Sequence, residues 1–190
     1  QDDVTIAFPK NTFYKDFYID LEKGTDTVTI HNGKVPAHRN FTITFDVTKY
    51  GKEDRKKLFI ARLNRKGGPS HASTFKRGNT FTTRTRNLGT YTLASDTIPP
   101  TIKAKNFKEK EWLDNYSYLS IQIADDLSGV KTYNAKLNGE WILMEYEPKK
   151  NTLTYNFDDK ILNKKECNLE IVVTDNVGNK TTFNSTFYRK

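Results

Sequence analysis

The stretch VKTYNAKLNGEWILMEY, residues 130–146, decides the fold class of this chain. It holds two runs rich in β-branched and aromatic residues on either side of the pair Asn138-Gly139. Asn-Gly between such runs is the strongest short signal for a two-residue hairpin, because a type I′ turn needs positive φ at both central positions. The stretch predicts two antiparallel strands. Trp141, in the second run, is interpreted as a core aromatic, with a surface-binding aromatic as the alternative.

Segments with a period of two surround this hairpin, and alternation of that kind marks strands with one buried face. They are YLSIQIAD with Leu119, Ile121 and Ile123 inward, TLTYNF with Leu153, Tyr155 and Phe157, NLEIVVTD with Leu169, Ile171 and Val173, and the closing KTTFNSTFYRK. Roughly seven short strands in about 90 residues, with turn signals every 8–12 residues, are typical of an Ig-like β-sandwich. The second half is therefore predicted to be Ig-like.

The first half repeats the pattern with its own strands. VTIAF, FYIDL, DTVTI and FTITFDV each place alternate apolar residues on one face, the inward sets being Val4, Ile6 and Phe8, then Phe17, Ile19 and Leu21, then Val28 and Ile30, then Phe41, Ile43 and Phe45. A turn, helical in one interpretation, is expected at Lys52–Arg55 and a strand over Leu58–Leu63. The chain is thus predicted to be all-β.

A domain boundary is expected near Pro99-Pro100. Both prolines lack an N–H and favour an extended residue before them, which suits a stiff linker, although an edge-strand kink is the alternative. The charge balance changes at the same place. Residues 1–96 hold 17 Lys or Arg against 10 Asp or Glu, a net +7, and residues 97–190 hold 14 against 13, a net +1. The prediction is two tandem β-sandwich domains, 1–96 and 97–190, the second Ig-like.

Composition limits the classes of function. The basic first half could favour anionic surfaces, or it could simply be a lysine-rich solvated surface. No basic run with interleaved aromatics indicates a nucleic-acid module, so no nucleic-acid partner is expected. No run approaches the roughly 18 apolar residues of a membrane span. Cys167 is the single cysteine, so an intrachain disulfide is excluded, and it is interpreted as a small strand-edge residue.

The sequence offers little for catalysis. His31, His38 and His71 are the only histidines, they fall in predicted turns or loops, and no two have the spacing of zinc ligands. The nucleophile-elbow, P-loop and dinucleotide-binding motifs are absent. No catalytic residue and no cofactor is therefore expected in this chain.

Two loops of the predicted Ig-like domain raise the question of calcium. Asp125 and Asp126 fall between the second and third strands, and Asp175 and Asn176 fall between the last two. In an Ig-like sandwich these loops lie at one end, so their oxygens could hold a calcium ion. In the alternative interpretation, Asp125 and Asp175 accept backbone N–H groups in Asx-turns, and glycines supply positive φ.

Four segments together carry a resemblance to a known family: HRNFTITFDVTKYGKEDRKKLFIARLN, NLGTYTLASDTIPPTI, IADDLSGVKTYNAKLNGEWILMEYE and VTDNVGNKTTF. Their order resembles the non-catalytic C-terminal region of envelope zinc endopeptidases of the lysostaphin/LytM type, as found in Bacteroidetes-like bacteria. The resemblance runs from about Phe41 to the C-terminus, and more loosely from Val4. Each motif alone is weak, because D-N-x-G-N occurs in many bacterial Ig-like repeats.

The resemblance implies an extracytoplasmic accessory region. Such peptidases cleave peptidoglycan cross-links with one zinc held by H-x-x-x-D and H-x-H motifs, and neither motif occurs here. No zinc ligand is carried over, and the catalytic domain would lie upstream in a parent polypeptide, located in the periplasm or cell envelope. The partners implied are that catalytic domain and, as a further candidate, a cell-wall polymer.

The predicted function is thus that of accessory or positioning domains of a cell-wall metallopeptidase. One alternative is a glycan- or peptide-binding module that uses the aromatics Trp112, Tyr116 and Tyr118. Another is a structural spacer of a surface adhesin. The sequence leaves the ligand and the oligomeric state open.

Overall fold

The computed structural model describes residues 3–159 and 165–190. The chain divides into two compact units, Gln1–Thr97 and Ile98–Lys190. In the part of the chain that is described, no helix is long and apolar enough to cross a membrane.

The first unit is a sandwich of two antiparallel sheets. Its elements are β1 (Val4–Ala7), β2 (Leu21–Gly24), β3 (Thr27–Ile30), β4 (Phe41–Asp46), α1 (Lys52–Lys57), β5 (Leu58–Leu63), β6 (Pro69–His71), β7 (Phe75–Arg77), β8 (Thr80–Thr85) and β9 (Gly89–Ser95). One sheet has the order β1-β4-β8-β7 and the other β2-β3-β9-β5-β6. The helical turn expected before β5 is present as α1, which buries no side chain.

The alternating apolar residues of β4 lie in the core of the first unit, as the sequence predicts. Phe41, Ile43 and Phe45 are fully buried, and Val28 and Ile30 of β3 meet them from the other sheet. Burying each such side chain contributes about 1.5–3 kcal/mol relative to leaving it exposed.

The predicted strand over Phe17–Leu21 is wrong in position, since β2 begins only at Leu21. Phe17 and Ile19 are half-buried against the core without a strand partner. Ring packing and single backbone contacts hold this segment instead. The Phe17 ring packs edge-on against Phe13 at 4.8 Å, and Phe13 forms an isolated backbone bridge with Ala37. The N–H of His31 donates to the Asp20 carbonyl at 2.8 Å. In this segment the alternation of apolar residues therefore indicates burial against the core, and not a strand paired in a ladder.

The second unit has the strand order of an Ig-type sandwich. Its elements are β10 (Thr101–Ala104), β11 (Tyr118–Ala124), β12 (Val130–Leu137), β13 (Glu140–Ile142), β14 (Glu145–Glu147), β15 (Thr152–Asn156), a 3-10 helix (Phe157–Asp159), β16 (Glu166–Asp175) and β17 (Lys180–Tyr188). The sheets β10-β11-β15-β14 and β13-β12-β16-β17 are antiparallel. Numbered A to G, these are an ABED sheet and a C′CFG sheet. The predicted fold class, an all-β chain of two tandem sandwiches with the second Ig-like, is confirmed.

The hairpin predicted at Asn138-Gly139 forms between β12 and β13. Asn138 has φ 53° and Gly139 φ 84°, the two left-handed positions of a type I′ turn. Leu137 pairs with Glu140 directly across the turn. The turn residues therefore set the register of this strand pair.

The linker residues are attached to the second unit at its start. The Thr181 hydroxyl donates a hydrogen bond to the Pro100 carbonyl, and the Asn179 side-chain amide lies 3.5 Å from the Ile98 carbonyl oxygen. Proline carbonyls remain good acceptors although proline has no N–H to donate. Residues 98–100 are thus held against the start of β17 and the turn before it.

Candidate functional site

The loops after β11 and β16 meet at one end of the second unit. A carboxylate oxygen of Asp125 lies within 4.8 Å of one of Asp175. Asp175 is fully buried, Asp125 is half-buried, and Asp126 is exposed. The Ig topology therefore brings together the two loops as the sequence predicts, with Asp125 and Asp175 facing each other.

Both carboxylates organise their own loops. Oδ1 of Asp175 accepts the backbone N–H groups of Val177 at 2.9 Å and Asn179 at 2.8 Å, and its Oδ2 accepts the Asn179 side-chain amide at 2.6 Å. Oδ1 of Asp125 accepts the N–H groups of Leu127 and Gly129. These are the side-chain-to-backbone bonds of Asx-type turns.

Asn176 and two glycines complete the loop structure. The Asn176 amide nitrogen donates to the carbonyls of Ser128 at 2.9 Å and Gly129 at 3.1 Å, which ties one loop to the other. Gly129 and Gly178 have φ of 83° and 84°, where a side chain would be strained. The turn interpretation accounts for these contacts without an ion, and calcium binding by Asp125, Asp126, Asp175 and Asn176 stays a prediction.

The three aromatics proposed as a binding surface have different surroundings. Trp112 is half exposed, and its ring packs on Tyr188 at 5.2 Å. Tyr116 packs partly against the core, and its hydroxyl donates to Glu111 at 3.3 Å. That carboxylate is the main reason that the pKa of Tyr116 is raised. Tyr118 is half exposed at the start of β11. A ligand role for these three side chains stays a prediction.

Trp112 belongs to a segment that covers the free edge of β17. The N–H of Lys110 donates to the Thr186 carbonyl at 2.7 Å, and the N–H of Tyr188 donates to the Glu111 carbonyl at 2.8 Å. Covering an edge strand in this way removes a template for pairing with another chain. The Trp112 side chain therefore contributes to the fold through its contact with β17.

Glu109 strengthens the same cover. Its Oε2 accepts the Ser185 hydroxyl at 2.6 Å and the Thr186 N–H at 3.0 Å. Both hydrogen bonds favour the charged carboxylate and therefore lower the pKa of Glu109. The bond from the Ser185 hydroxyl has the larger effect, and the bond from the Thr186 N–H has the smaller one.

The interpretation of Trp141 as a core residue is wrong. Its side chain is 62% exposed, while the neighbouring Ile142 is buried. Consecutive strand residues point to opposite faces, so the burial of Ile142 forces Trp141 outward.

A polar row crosses the sheet beside Trp141. Trp141 of β13 pairs with Lys136 of β12. Lys136 pairs on its other side with Glu170 of β16, and Glu170 pairs with Asn184 of β17. The Lys136 ammonium lies 3.8 Å from Glu170. Residues exactly opposite in a ladder share a face, so one exposed indole lies at the end of a row of hydrogen-bonding side chains. The hairpin signal located Trp141, but single-sequence reasoning could not show which face it takes.

Each of the three histidines lies beside a different side chain. The His31 ring nitrogen Nδ1 lies 3.0 Å from Asp20, the His38 ring packs on Tyr14 and the His71 ring packs on Phe59. His71 ends strand β6 rather than lying in a loop.

Cys167 is the second residue of β16, where it pairs with Phe187 of β17 and lies beyond the last pair that β16 forms with β12. Its side chain is fully buried, and burial raises the pKa of its thiol.

Comparison with known proteins supplies one family and likenesses to solved β-sandwich structures. No curated protein matches the chain. The fibronectin(III)-like modules of Clostridium thermocellum CbhA match at 10% identity with a TM-score of 0.38, over 80% of this chain and 86% of theirs. Tandem Ig repeats of Dlar match at 8% identity with a TM-score of 0.33, over 80% of this chain and 88% of theirs. Residues 1–96, just over half of the sequence, match the Zu5-like domain family. The chain therefore belongs to the Zu5-like domain family through its first unit.

Proposed function

We propose that this chain is the non-catalytic accessory region of an extracytoplasmic zinc peptidase that acts on peptidoglycan. The observation that carries the proposal is the ordered set of motifs from Gly89 to Asn179, GTY-x-L-x-x-D-T-x-P-P-x-I, D-D-x-S-G, N-G-x-W and D-N-x-G-N, in one chain. That order resembles the region after the catalytic domain of lysostaphin/LytM-type enzymes.

The local role of each motif supports a scaffold rather than a reaction centre. Asp125 and Asp175 use their carboxylates to hold loops, and Asn138-Gly139 forms a turn. His31 and His38 lie in the connection between β3 and β4, beside Asp20 and Tyr14. His71 ends β6 and packs on Phe59. The chemistry would then reside in a zinc domain upstream in the same polypeptide, and this chain would position it at the cell wall.

Deletion in the parent protein tests positioning directly. The parent without residues 1–190 is expected to cleave a short soluble cross-link peptide at its normal rate but to lose activity on intact peptidoglycan sacculi. Equal activity of the two proteins on sacculi would contradict a positioning role.

The isolated chain provides the complementary test. It is expected to leave peptidoglycan intact when zinc is added, and hydrolysis that a chelator abolishes would overturn the proposal. The reading frame upstream is the simplest check, because the proposal requires a zinc-peptidase domain there.

A second candidate function is saccharide binding on the C′CFG face. The observation that favours it is the 62% exposed Trp141 beside Lys136, Glu170 and Asn184. A flat indole can stack on a sugar ring while amide, carboxylate and ammonium groups bind its hydroxyls.

Co-sedimentation with purified peptidoglycan tests this face. Trp141→Ala is expected to reduce the bound fraction, and Phe75→Ala is the matched control, because it removes a 61% exposed aromatic ring from β7 of the first unit. Equal loss in both variants, or in neither, would refute binding at Trp141.

A further inference from the structure

A basic pocket of about 510 Å³ opens at one end of the five-stranded sheet of the first unit. Strands β3 and β5 end there and β9 begins there, because both pair antiparallel with β9. The residues that line the pocket come from three separate segments of sequence, 31–34, 62–65 and 89–90.

Arg62 lies at the base of this pocket on the core side of its strand. Leu58, Ile60 and Arg62 are spaced two residues apart along β5, so they lie on the same face of the strand, and Leu58 and Ile60 enter the core. Its Nη2 donates to the Leu88 carbonyl at 3.0 Å, while its Nε is buried without a hydrogen-bond partner among the described residues. A buried N–H of a charged group that lacks an acceptor costs free energy, so it calls for a ligand or a specific reason.

The charges around Arg62 are of one sign. Lys34 and Arg65 also line the pocket, and none of its lining residues is acidic. The ion pairs found among the described residues leave Lys34, Arg62 and Arg65 without a carboxylate. The acid tied to a pocket residue is Asp20, whose carboxylate is 82% exposed and bonded to His31.

Two glycines pack closely against the guanidinium. A Cβ on Gly33 would lie 3.3 Å from Nη2 of Arg62 and 3.4 Å from the Leu88 carbonyl oxygen. Gly89 has φ 126°, a backbone conformation that residues with a side chain rarely adopt. A Cβ added at Gly89 would lie 3.7 Å from Nε of Arg62. The close backbone thus holds the planar guanidinium of Arg62 in one position. Lys34 and Arg65 are exposed and lie at the mouth of the pocket.

We propose that this pocket binds a phosphate group carried by a larger molecule. A fixed guanidinium offers planar donors to phosphate oxygens, and the exposed cations Lys34 and Arg65 can neutralise a second negative charge. Three cations without an acid suit a doubly charged phosphate better than a single carboxylate. The net +7 of residues 1–96 adds long-range attraction for such a ligand. The site is independent of the proposed peptidase parent, so the two can fail separately.

Titration of the whole chain with inorganic phosphate at constant ionic strength tests the site. In ¹H–¹⁵N spectra, the backbone amides of Gly33 and Gly89 and the Nε–H of Arg62 are expected to shift together and to saturate. Sodium acetate at the same ionic strength is expected to shift them far less. Lys34→Gln and Arg65→Gln are each expected to weaken phosphate binding by about fivefold, the upper range for an exposed ion pair.

Arg62→Gln is expected to weaken binding by more than about tenfold, because it removes charge-assisted hydrogen bonds. The matched control is Arg84→Gln, which removes one exposed arginine from the other sheet of the same unit and should bind as the unmodified chain does. Since Arg62→Gln could also destabilise the unit, the two exposed variants at the pocket mouth keep the test decisive.

Two results would overturn the proposal: shifts that stay linear in phosphate, or equal weakening in Arg84→Gln and in the pocket variants. The source of the phosphate is separated in a second arm with vesicles. Binding to phosphatidylglycerol vesicles but not to phosphatidylcholine vesicles, lost in Lys34→Gln and Arg65→Gln, identifies a lipid headgroup. Saturable binding of free phosphate without vesicle binding identifies a soluble or polymeric phosphate.

Discussion

Replacement of Asp175 by alanine should be among the most damaging single changes to the second unit. The carboxylate is 0% exposed and accepts three hydrogen bonds, from the Val177 N–H, the Asn179 N–H and the Asn179 side-chain amide. Both donor residues are themselves buried, so water cannot easily replace the lost acceptor. The loss therefore leaves unsatisfied donors at the turn between the two longest strands of the unit.

The magnitude follows from those three bonds. A hydrogen bond to a charged group contributes about 1.5–3 kcal/mol, so three at the low end stabilise the unit by about 4–5 kcal/mol. The Asp125 carboxylate, within 4.8 Å, repels Asp175 and offsets part of this. We expect Asp175→Ala to lower the free energy of unfolding by about 3–4 kcal/mol, and Asp175→Asn, which keeps the Oδ1 acceptor, by about half as much.

The assay can be confined to the second unit. Trp112 and Trp141 are the only tryptophans, and both lie in it, so tryptophan fluorescence during urea unfolding reports this unit alone. The shift in the midpoint at constant slope gives the change in stability. Asp126→Ala is the matched control, because Asp126 is exposed in the facing loop, and it should change stability by less than about 0.5 kcal/mol.

Calcium provides the refuting condition. If Asp175 acts by holding its turn, the loss in Asp175→Ala should be the same with EDTA and with millimolar calcium, and calcium should not raise the melting temperature of the unmodified chain. A loss below about 1 kcal/mol would contradict the hydrogen-bond argument. A loss seen only with calcium present would show that the loops hold an ion.

Three further predictions concern single residues. The Glu109 carboxyl has a lowered pKa, so its stabilisation is fully present above its ordinary pKa and is lost as the pH falls through the lowered one. The stability difference between the unmodified chain and Glu109→Gln in urea unfolding should therefore stay constant from pH 7 to pH 5 and shrink steadily as the pH falls below about 4. The buried Cys167 thiol should react with a disulfide reagent at least about a hundredfold more slowly in the folded chain than in denaturant, and a fast reaction would contradict its burial. Gly139→Ala should cost about 1 kcal/mol in thermal unfolding, since φ is 84° and nothing lies near the new Cβ, whereas Gly24→Ala, with an ordinary 3.8 Å contact, should be nearly neutral.

The β-strands of the second unit could be predicted in detail because their signals are local. Leu119, Ile121 and Ile123 alternate along one strand and are all fully buried. Asn138-Gly139 adopts the positive φ values that only a few residue types tolerate. Period and turn chemistry are properties of a few neighbouring residues, so they survive in a single sequence.

Predictions failed where burial depends on distant parts of the chain. Phe17 and Ile19 alternate as strand residues do, yet Phe13 and the core hold them without a ladder. For Trp141 and Ile142, either residue could have faced the core, and pairing with β12 decided that Ile142 does. A shift of one residue exchanges the two faces of a strand, and a local pattern with two adjacent apolar residues cannot choose between them.

The sequence by itself thus determined the all-β class, the Ig-like hairpin and the loop residues Asp125 and Asp175, because alternation, turn propensity and Asx-turn chemistry are short-range. The tertiary structure alone decided which groups meet. It placed Arg62 beneath Gly33 and Gly89, three positions that are separated by more than twenty residues in sequence. Sheet pairing of β3, β5 and β9 closes those distances, and no local pattern records it.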